Sequence, residues 1–558
     1  MQMPTAHPAP KQPSYPTDEA VDFVIIGSGI AGGSVARELT RNGFSVVLLE
    51  QGRNVGPEDM EHDELGAFMW PRWTTDPAVS PQTYRKGPDA KVEQRSFANY
   101  ARAVGGTTLH FTGNFWRFRP IDFHEASKRG VPAGSTLADW PITYEELEPY
   151  YTAVEYAIGV SGEASDDPRE PMRSKPYPLP PLNAHGPGVL LEVGAKKLGW
   201  SSKAAPMAIL SREFKGRQPC HNCGFCLAFP CEWGAKSGAN WTMVPEALAS
   251  GKCELRPNSY VRKIETDAAG RATGVVYFDK DRREVVQKAR AVVLCANGAE
   301  TPRLLLNSKS NRFPDGLANS SGMVGQNLMP NGNVASTAEF EHEVAAHKGP
   351  VVTRITEEPY ELDPKLNLIG GGGFDFRMSV PGLLWTLGMP DDGPMWGSEF
   401  KKRMRPWFNN SIEALGHTTT LPQATNGVTI DPELKDAWGV PAMRVTYKEH
   451  EHDMRLFKHF QGLGRELLAA AGAKKIHTPP LNDSPDGAVH LLGTARMGND
   501  PRTSVVDKYH RAHDVKNLFI VDGSSFVTSG RGQPTMTINA LAFRAADHIA
   551  EFARKGEI

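Results

Sequence analysis

The chain has 558 residues, 40% of them hydrophobic and 9% aromatic, which is enough apolar material for more than one buried core. Its 62 basic and 64 acidic residues give a formal net charge of −2 without any long block of like charge, so we expect no binding to nucleic acid. No stretch reaches the ~18 continuous apolar residues of a membrane-spanning helix.

The N-terminal segment, residues 1–20, is predicted to be a flexible leader because it is rich in proline and lacks periodic apolar positions. It also lacks the basic-then-apolar pattern of an export signal. The chain's own sequence therefore predicts a cytoplasmic protein.

The segment 22–32 reads as an apolar strand, a glycine-rich turn and the start of a helix. Gly27 permits a tight turn, Gly29 lets the backbone approach a pyrophosphate, and Gly32 allows the helix to pack closely on the strand. Phosphates would then lie at the helix N-terminus. The pattern predicts a dinucleotide site, the alternative being a glycine turn without a ligand.

A second apolar strand, residues 45–49, ends at Glu50, twenty-three residues after Gly27. A carboxylate at this place can accept hydrogen bonds from both ribose hydroxyls and disfavours a 2′-phosphate. The two strands together therefore leave FAD or NAD as the expected dinucleotide.

Four cysteines lie within twelve residues, at spacings of two, two and four, in a chain that otherwise has only Cys253 and Cys295. Three interpretations stay open: an iron–sulfur cluster (3Fe-4S or 4Fe-4S), a zinc site, and disulfides or free thiols. An iron–sulfur cluster is favoured because zinc ligands usually come as separated pairs and no export signal indicates an oxidising compartment. The predicted ligands are Cys220, Cys223, Cys226 and Cys231, although Pro230 before the last cysteine departs from the ferredoxin pattern.

Several glycine-rich and polar segments follow one another in an order that resembles the glucose–methanol–choline flavoprotein oxidoreductases. The resemblance is carried by residues 27–32 with Glu50, and by 102–110, 296–306, 490–498 and 517–524. It runs from about residue 22 to the C-terminus and is most similar to the catalytic subunits of bacterial FAD-dependent glucose, fructose and gluconate dehydrogenases, which also carry a cysteine cluster at this point.

The resemblance implies FAD rather than NAD, and an α/β fold in which a doubly wound, Rossmann-like FAD-binding domain is interleaved with an antiparallel-sheet α+β substrate domain. The FAD-binding domain is expected to be discontinuous, over residues 21–125, 245–330 and 486–558. Residues 126–244 are expected to form a cap region with the cysteines, and residues 331–485 the substrate-binding domain. Aromatic residues in that last segment are explained equally well as sugar-stacking faces and as core.

The resemblance also implies the residues that contact FAD. They are Gly27, Ser28, Gly29, Gly32, Glu50, Gln51, Arg102, Gly105, Gly106, Thr107, His110, Asn114, Val261, Ala296, Gly298, Asp522, Gly523 and Thr535. His110 has the spacing of the histidine that some family members bond covalently to flavin, but we expect it to pack over the ring without a bond. The helix beginning near Thr535 is expected to direct its positive end at the flavin.

Two catalytic residues are implied by the same resemblance. His490 would be the base that takes the proton of the alcohol. Gln533 stands where the family usually has a histidine or an asparagine, and since glutamine does not titrate, it would bind the substrate oxygen while His490 carries the acid–base work.

The expected function is an FAD-dependent dehydrogenase that oxidises an alcohol group of a sugar or polyol and passes electrons on through the cysteine-bound cluster. The alternative is an oxygen-using oxidase of the same fold acting on a glycoside or an aromatic alcohol, with structural cysteines. A different class, a scaffold that binds FAD without catalysis, poorly explains His490. The dehydrogenase interpretation implies a small partner subunit, a cytochrome or quinone acceptor, and a periplasmic location if the chain is exported with that partner.

Overall fold

The structure is a computed structural model that describes residues 12–69, 72–165, 169–380 and 382–558. The strands, in chain order, are β1 (Val21–Ile26), β2 (Val46–Leu49), β3 (Gln82–Arg85), β4 (Glu93–Gln94), β5 (Lys203–Ala204), β6 (Cys253–Arg256), β7 (Tyr260–Thr266), β8 (Ala272–Phe278), β9 (Glu284–Leu294), β10 (Gly332–Glu339), β11 (Arg354–Thr356), β12 (Gly372–Arg377), β13 (Ser411–Thr418), β14 (Gly427–Lys435), β15 (Pro441–Thr446), β16 (Lys475–His477) and β17 (Leu518–Ile520).

The helices, in chain order, are α1 (Ile30–Arg41), α2 (Pro120–Phe123), α3 (Glu125–Arg129), α4 (Tyr144–Ile158), α5 (Gly186–Leu198), α6 (Met243–Ala249), α7 (Asn297–Asn307), α8 (Leu383–Leu387), α9 (Gly397–Asn410), α10 (Glu451–Ala471) and α11 (Thr535–Arg554). Within the described ranges, no helix is both long and apolar enough to cross a bilayer.

The first sheet is built on four strands that run parallel, β6–β2–β1–β9, with β17 also parallel to β9. The N-terminal half of β9 continues the sheet through an antiparallel pairing with β8, which in turn pairs with β7. The central strands β1 and β2 are almost entirely buried apolar residues, as expected for a parallel sheet covered on both faces. Their pairing aligns Ile26 with both Leu49 and Leu294, so the residues that follow all three strands meet at one edge.

The second sheet has the order β16–β10–β13–β12–β11–β5 and is antiparallel. Helices α5 and α10 pack on it, and their apolar side chains share a core with those of the strands. The fold is therefore the expected combination of a Rossmann-like parallel sheet with an antiparallel one.

A third, four-stranded sheet has the order β14–β15–β3–β4. Its strands β3 and β4 come from the segment expected in the FAD-binding domain, whereas β14 and β15 come from the segment expected in the substrate-binding domain. The domain boundaries stay a prediction. This sheet pairs β3, from the segment expected in the FAD-binding domain, with β15, from the segment expected in the substrate-binding domain.

The segment predicted to be a flexible leader is ordered against the first sheet from Gln12 onward. The Tyr15 amide donates to Glu254 (2.8 Å), Arg256 donates to the Tyr15 carbonyl (2.8 Å), and the Gln12 side-chain oxygen accepts from the Leu255 amide (2.9 Å). The prediction is therefore wrong for residues 12–20, because proline-rich sequence can add to a sheet edge without any periodic apolar pattern. Residues 1–11 lie outside the described residues.

The aromatic residues of the middle segment belong mainly to the core of the second sheet. Phe374, Phe376, Trp385 and Trp407 are all buried there, whereas Trp396 is 85% exposed. The four buried rings pack against the sheet and its helices, so they are core residues and not sugar-stacking faces.

Candidate active site

A cavity of about 550 Å³ opens at the carboxyl edge of the parallel sheet and is lined by residues of both the first and the second sheet. This is where open α/β sheets bind their ligands. The predicted residues that line it are Gly27, Gly29, Glu50, Gln51, Gly106, Thr107, His110, Asn114, Val261, Ala296, His490, Asp522, Gly523, Gln533 and Thr535. Ser28, Gly32, Arg102, Gly105 and Gly298 do not line it and lie behind the wall.

The three glycines of the β1–α1 turn have different physical roles. Gly27 has φ +95°, and a Cβ there would lie 2.4 Å from the Cys295 carbonyl oxygen. A Cβ on Gly32 would lie 1.9 Å from the Gly27 oxygen, so both residues are required by the protein's own packing. Gly29 caps α1 with φ −64°, and the nearest atom to its Cβ would be 3.8 Å away. No contact within the protein therefore requires glycine at position 29. Glycine is expected there if a bound pyrophosphate passes close to the backbone, where a Cβ would be in its way.

Glu50 follows β2 and is buried at the cavity wall. Its Oε2 accepts from the Ser28 amide (3.1 Å) and hydroxyl (2.8 Å), and its Oε1 accepts from the Gly52 amide (2.9 Å). Burial raises the pKa of this carboxyl, against the effect of those hydrogen bonds. Oε2 therefore accepts twice already, whereas Oε1 keeps a further acceptor position for a ribose hydroxyl.

A second glycine turn packs directly on the first. Gly105 and Gly106 have φ +100° and +54°, and a Cβ on Gly106 would lie 2.8 Å from the Gly29 Cα. The Gly105 amide donates to the Ser28 hydroxyl (3.3 Å), and Arg102 donates to Gln51 (3.2 Å). These residues hold the two loops together, and Gly106, Thr107 and Gln51 provide the surface that faces the cavity.

The start of α7 and the turn after β17 form another part of the wall. A Cβ on Gly298 would lie 2.0 Å from the Leu491 carbonyl oxygen, so this glycine lets α7 approach the segment that carries His490. Asp522 accepts from the Asn297 amide (3.0 Å) and the Thr301 hydroxyl (2.6 Å), which fixes the turn. Ala296, which precedes α7, and Gly523, which follows Asp522, line the cavity.

His490 and the N-terminus of α11 lie at the same cavity. Burial, together with the nearby His417, lowers the pKa of His490 to about 4, so its imidazole is neutral at neutral pH. Helix α11 begins at Thr535, directly after Gln533 and Pro534, and its unpaired amides and positive dipole end favour negative charge there.

Several buried polar atoms at the cavity lack a partner among the described residues. They are His110 Nε2, both amide atoms of Asn114, and His490 Nδ1. Leaving such groups unpaired costs about 1–3 kcal/mol each, so a bound polar ligand is expected to provide the missing partners. The residues of the cavity therefore fit a dinucleotide with a polar ring system.

The second sheet contributes a polar wall that the sequence reasoning missed. Asn333, Arg377, Glu413 and His417 all line the cavity, and Asp375 lies on the same face of β12 as Arg377. His417 Nε2 lies 2.8 Å from Asp375 Oδ2, Asp375 forms an ion pair with Arg377, and Gln533 Nε2 lies 3.0 Å from His417 Nδ1. The available signal was same-face polar pairs in two largely apolar strands: Asp375 and Arg377 are two positions apart on β12, and Glu413 and His417 are four apart on β13.

The cysteine segment lies beside this cavity. Leu227 lines it, the Ala228 amide donates to the His110 carbonyl (3.0 Å), and buried Lys236 donates to the carbonyls of Phe111, Cys226 and Phe229 (2.7 Å each). All the cysteines are free thiols, and burial raises the pKa of Cys220 to about 12 and that of Cys223 to about 11.

The predicted ligand set is not assembled in this structure. In the part of the chain that is described, no group of three or more histidine, cysteine or acidic side chains could hold a metal ion. Cys226 is buried while Cys223 is exposed, so the thiols differ in their access to solvent, although Cys220 packs against the apolar cluster that contains Cys226.

Known proteins match almost the whole chain. The GMC oxidoreductase family models match residues 21–331 and 422–542. The 2-methyl-1,2-propanediol dehydrogenase of Mycolicibacterium austroafricanum is 35% identical, covering 95% of each chain. The fructose dehydrogenase large subunit of Gluconobacter japonicus is 30% identical, covering 96% of this chain and 99% of that one.

Solved structures show the same fold. A formate oxidase of Aspergillus oryzae, studied for modification of its FAD, superposes with a TM-score of 0.66 at 15% identity, over 97% of this chain and 100% of that one. The same family is indicated by both family models, by two near full-length relatives and by a cavity that fits a dinucleotide. The chain therefore belongs to the glucose–methanol–choline family of FAD-dependent oxidoreductases, which act on CH–OH groups.

Proposed function

We propose that the protein is a dehydrogenase that oxidises an alcohol group of a sugar or polyol, with His490 as the catalytic base. The observation that carries the proposal is a neutral imidazole in the same cavity as the dinucleotide cradle and a polar wall. Relatives that act on a diol, on fructose and on gluconate support a substrate with several hydroxyl groups.

Different residues of the chain bind the substrate and accept its proton. Arg377, Glu413 and Gln533 bind the hydroxyl groups of the substrate, and His490 accepts the proton of the hydroxyl that becomes a carbonyl. FAD held in this cavity would supply the acceptor for the hydride from the same carbon, with which the two electrons of the C–H bond would leave. The N-terminus of α11, with its unpaired amides and positive dipole end, would favour negative charge on a group held at this end of the cavity.

Bleaching of the flavin under nitrogen tests this function. We expect a panel of sugars and polyols to include compounds that reduce the flavin of the purified enzyme stoichiometrically, because hydride transfer needs no other component. The change is followed as the loss of flavin absorbance. A holoenzyme whose flavin no alcohol bleaches would contradict the proposed function.

The alternative is an oxygen-using oxidase, and one relative gives it support: the paromamine 6′-oxidase of Streptomyces fradiae is 30% identical over 98% of this chain. Peroxide release separates the two functions. We propose the dehydrogenase, for which reduced enzyme exposed to air forms peroxide slowly compared with its reaction with an artificial dye acceptor.

An iron–sulfur cluster at Cys220, Cys223, Cys226 and Cys231 stays a prediction of the sequence. If it is right, enzyme purified under nitrogen contains stoichiometric iron and sulfide, and Cys226→Ser loses both but keeps alcohol-dependent bleaching of the flavin. The matched control is Cys253→Ser, a change of another buried thiol, in β6. Iron-free enzyme with full electron transfer to a quinone or cytochrome would refute the cluster.

A small partner subunit belongs to the same proposal, since one relative is the large subunit of a fructose dehydrogenase. We propose a periplasmic location if the chain is exported with such a partner, and a cytoplasmic one without it.

A further inference from the structure

The buried pair Asp375 and His417 defines which nitrogen of the histidine carries a proton. Although burial opposes it, the charge of Arg377 and the contact with His417 lower the pKa of Asp375 to about 2, so Asp375 is an ionised carboxylate that can only accept hydrogen bonds. His417 Nε2 lies 2.8 Å from Asp375 Oδ2 and 3.3 Å from a guanidinium nitrogen of Arg377. Because the carboxylate is the closer group and can only accept, Nε2 carries a hydrogen and donates it to Asp375.

The opposite nitrogen, His417 Nδ1, is then a hydrogen-bond acceptor. Burial and the neighbouring Arg377 cation keep the imidazole neutral by lowering its pKa, although Asp375 opposes this. Gln533 Nε2 lies 3.0 Å from Nδ1 and donates to it. Asn333 lies opposite His417 on β10, with its side-chain oxygen Oδ1 3.2 Å from the same nitrogen. Two acceptors would then face each other, so the Asn333 amide takes the orientation turned by half, in which its nitrogen is a second donor to Nδ1.

The amide of Gln533 is thereby fixed in one orientation. Its nitrogen is bound to His417, while its carbonyl oxygen has no hydrogen-bond partner among the described residues. The opposite orientation would place two acceptors against each other. Because Gln533 lines the cavity and its nitrogen is held by His417, its carbonyl oxygen is the acceptor that it offers to a substrate there.

An acceptor at this position has a consequence for the substrate. The hydroxyl that is oxidised has one proton, and under the proposed function that proton goes to His490. A second hydroxyl must therefore provide the hydrogen bond to Gln533. We propose that Gln533, positioned by Arg377, Asp375 and His417, recognises a hydroxyl next to the carbon that is oxidised, so that the enzyme selects vicinal diols and polyols over mono-alcohols.

The rest of the wall fits such a substrate. Arg377 and Glu413 stand opposite each other on β12 and β13, and both line the cavity. Ser379 donates to Glu413, which leaves that carboxyl able to accept from a further hydroxyl. The wall therefore carries both donors and acceptors, as a polyhydroxylic ligand requires, whereas an apolar alcohol would leave them unpaired.

Matched substrate pairs test this inference, which rests on the proposed function. The pairs differ by one hydroxyl: propane-1,2-diol with propan-1-ol, cyclohexane-1,2-diol with cyclohexanol, and glucose with 2-deoxyglucose. The measured quantity is the ratio of kcat/KM within a pair, from anaerobic flavin reduction. We expect the wild-type ratio to be at least about tenfold, because removing the hydroxyl leaves a buried acceptor unpaired.

Two variants remove the recognition in different ways. Gln533→Met keeps the shape of the side chain without its acceptor, and His417→Leu leaves the Gln533 amide free to turn. Both are expected to lower the ratio severalfold, with a larger rise of KM for the diol than for the mono-alcohol. His459→Leu, a histidine on α10 that does not line the cavity, is the matched control and keeps the wild-type ratio.

The outcomes separate the inference from the function on which it rests. A wild-type ratio near one, or a ratio unchanged in both variants while FAD stays bound, overturns the recognition of a second hydroxyl and leaves the dehydrogenase proposal standing. If no alcohol of any pair bleaches the wild-type flavin, the proposed function itself fails. A merely structural role of His417 slows both members of a pair equally, which also overturns the inference.

Discussion

Replacing His490 by alanine is expected to slow alcohol-dependent reduction of the flavin by about 10²–10⁴-fold, the usual contribution of a general base. The histidine lines the cavity with Gln533, and burial with the nearby His417 lowers its pKa to about 4, so it is neutral and able to accept a proton at working pH. Without it, the imidazoles that remain at the described wall are His110, which follows the second glycine turn, and His417, whose Nδ1 is bound to Gln533.

The measurement is the rate constant of flavin bleaching in a stopped-flow experiment under nitrogen. FAD content and melting temperature must match the wild type, so that the loss is chemical and not structural. His459→Ala is the control substitution. A rate within tenfold of the wild type would show that His490 is not the base.

The dependence on pH has a defined sign. Since the pKa of His490 is lowered to about 4, kcat/KM is expected to rise as pH increases through about 4 and to stay flat towards neutrality. The pKa of His417 is lowered as well, and the pKa of Arg377 is raised, so that it stays charged. Neither residue is therefore expected to change kcat/KM near neutral pH. The alanine variant should lose the contribution of His490 to the fall of kcat/KM at acidic pH, whereas that of His110, whose pKa burial also lowers to about 4, is kept.

The dinucleotide part of the site could be predicted from the sequence because its determinants are local. The turn between β1 and α1 is one short segment, and Glu50 follows the very next strand, so chain order and parallel pairing place them together. The same holds for Asp522, which lies two residues after the end of β17 at the same edge of the sheet. Glycine spacing and strand order are sufficient for the first turn and Glu50, whereas the other predicted cofactor residues were implied by the family resemblance.

The substrate wall could not be predicted in the same way. Asp375 and His417 are 42 positions apart and meet only through the antiparallel register of β12 and β13. A one-residue shift of that register would turn His417 to the other face of the sheet. The cysteine prediction met a similar limit, since spacing alone does not fix whether four thiols converge on one point.

Replacing Gly29 by alanine is expected to weaken FAD binding about 5- to 150-fold, the effect of about 1–3 kcal/mol of overpacking. The residue has an ordinary φ of −64°, and its Cβ would meet nothing closer than 3.8 Å in the protein. A methyl group at the N-terminus of α1 would therefore clash only with the bound pyrophosphate. The measurement is the dissociation constant of FAD from the apoprotein, by recovery of flavin fluorescence or by calorimetry.

Two further glycines make this result specific to the cofactor. In Gly32→Ala the new Cβ would lie 1.9 Å from the Gly27 oxygen, so we expect both the apoprotein's melting temperature and FAD binding to fall. In Gly462→Ala, within α10, the Cβ meets nothing within 4 Å, and neither should fall. Gly29→Ala alone should lower FAD affinity while the melting temperature of the apoprotein is kept. If the apoprotein of Gly29→Ala melts early, position 29 serves the fold; if its FAD affinity is unchanged, the pyrophosphate does not lie against this turn.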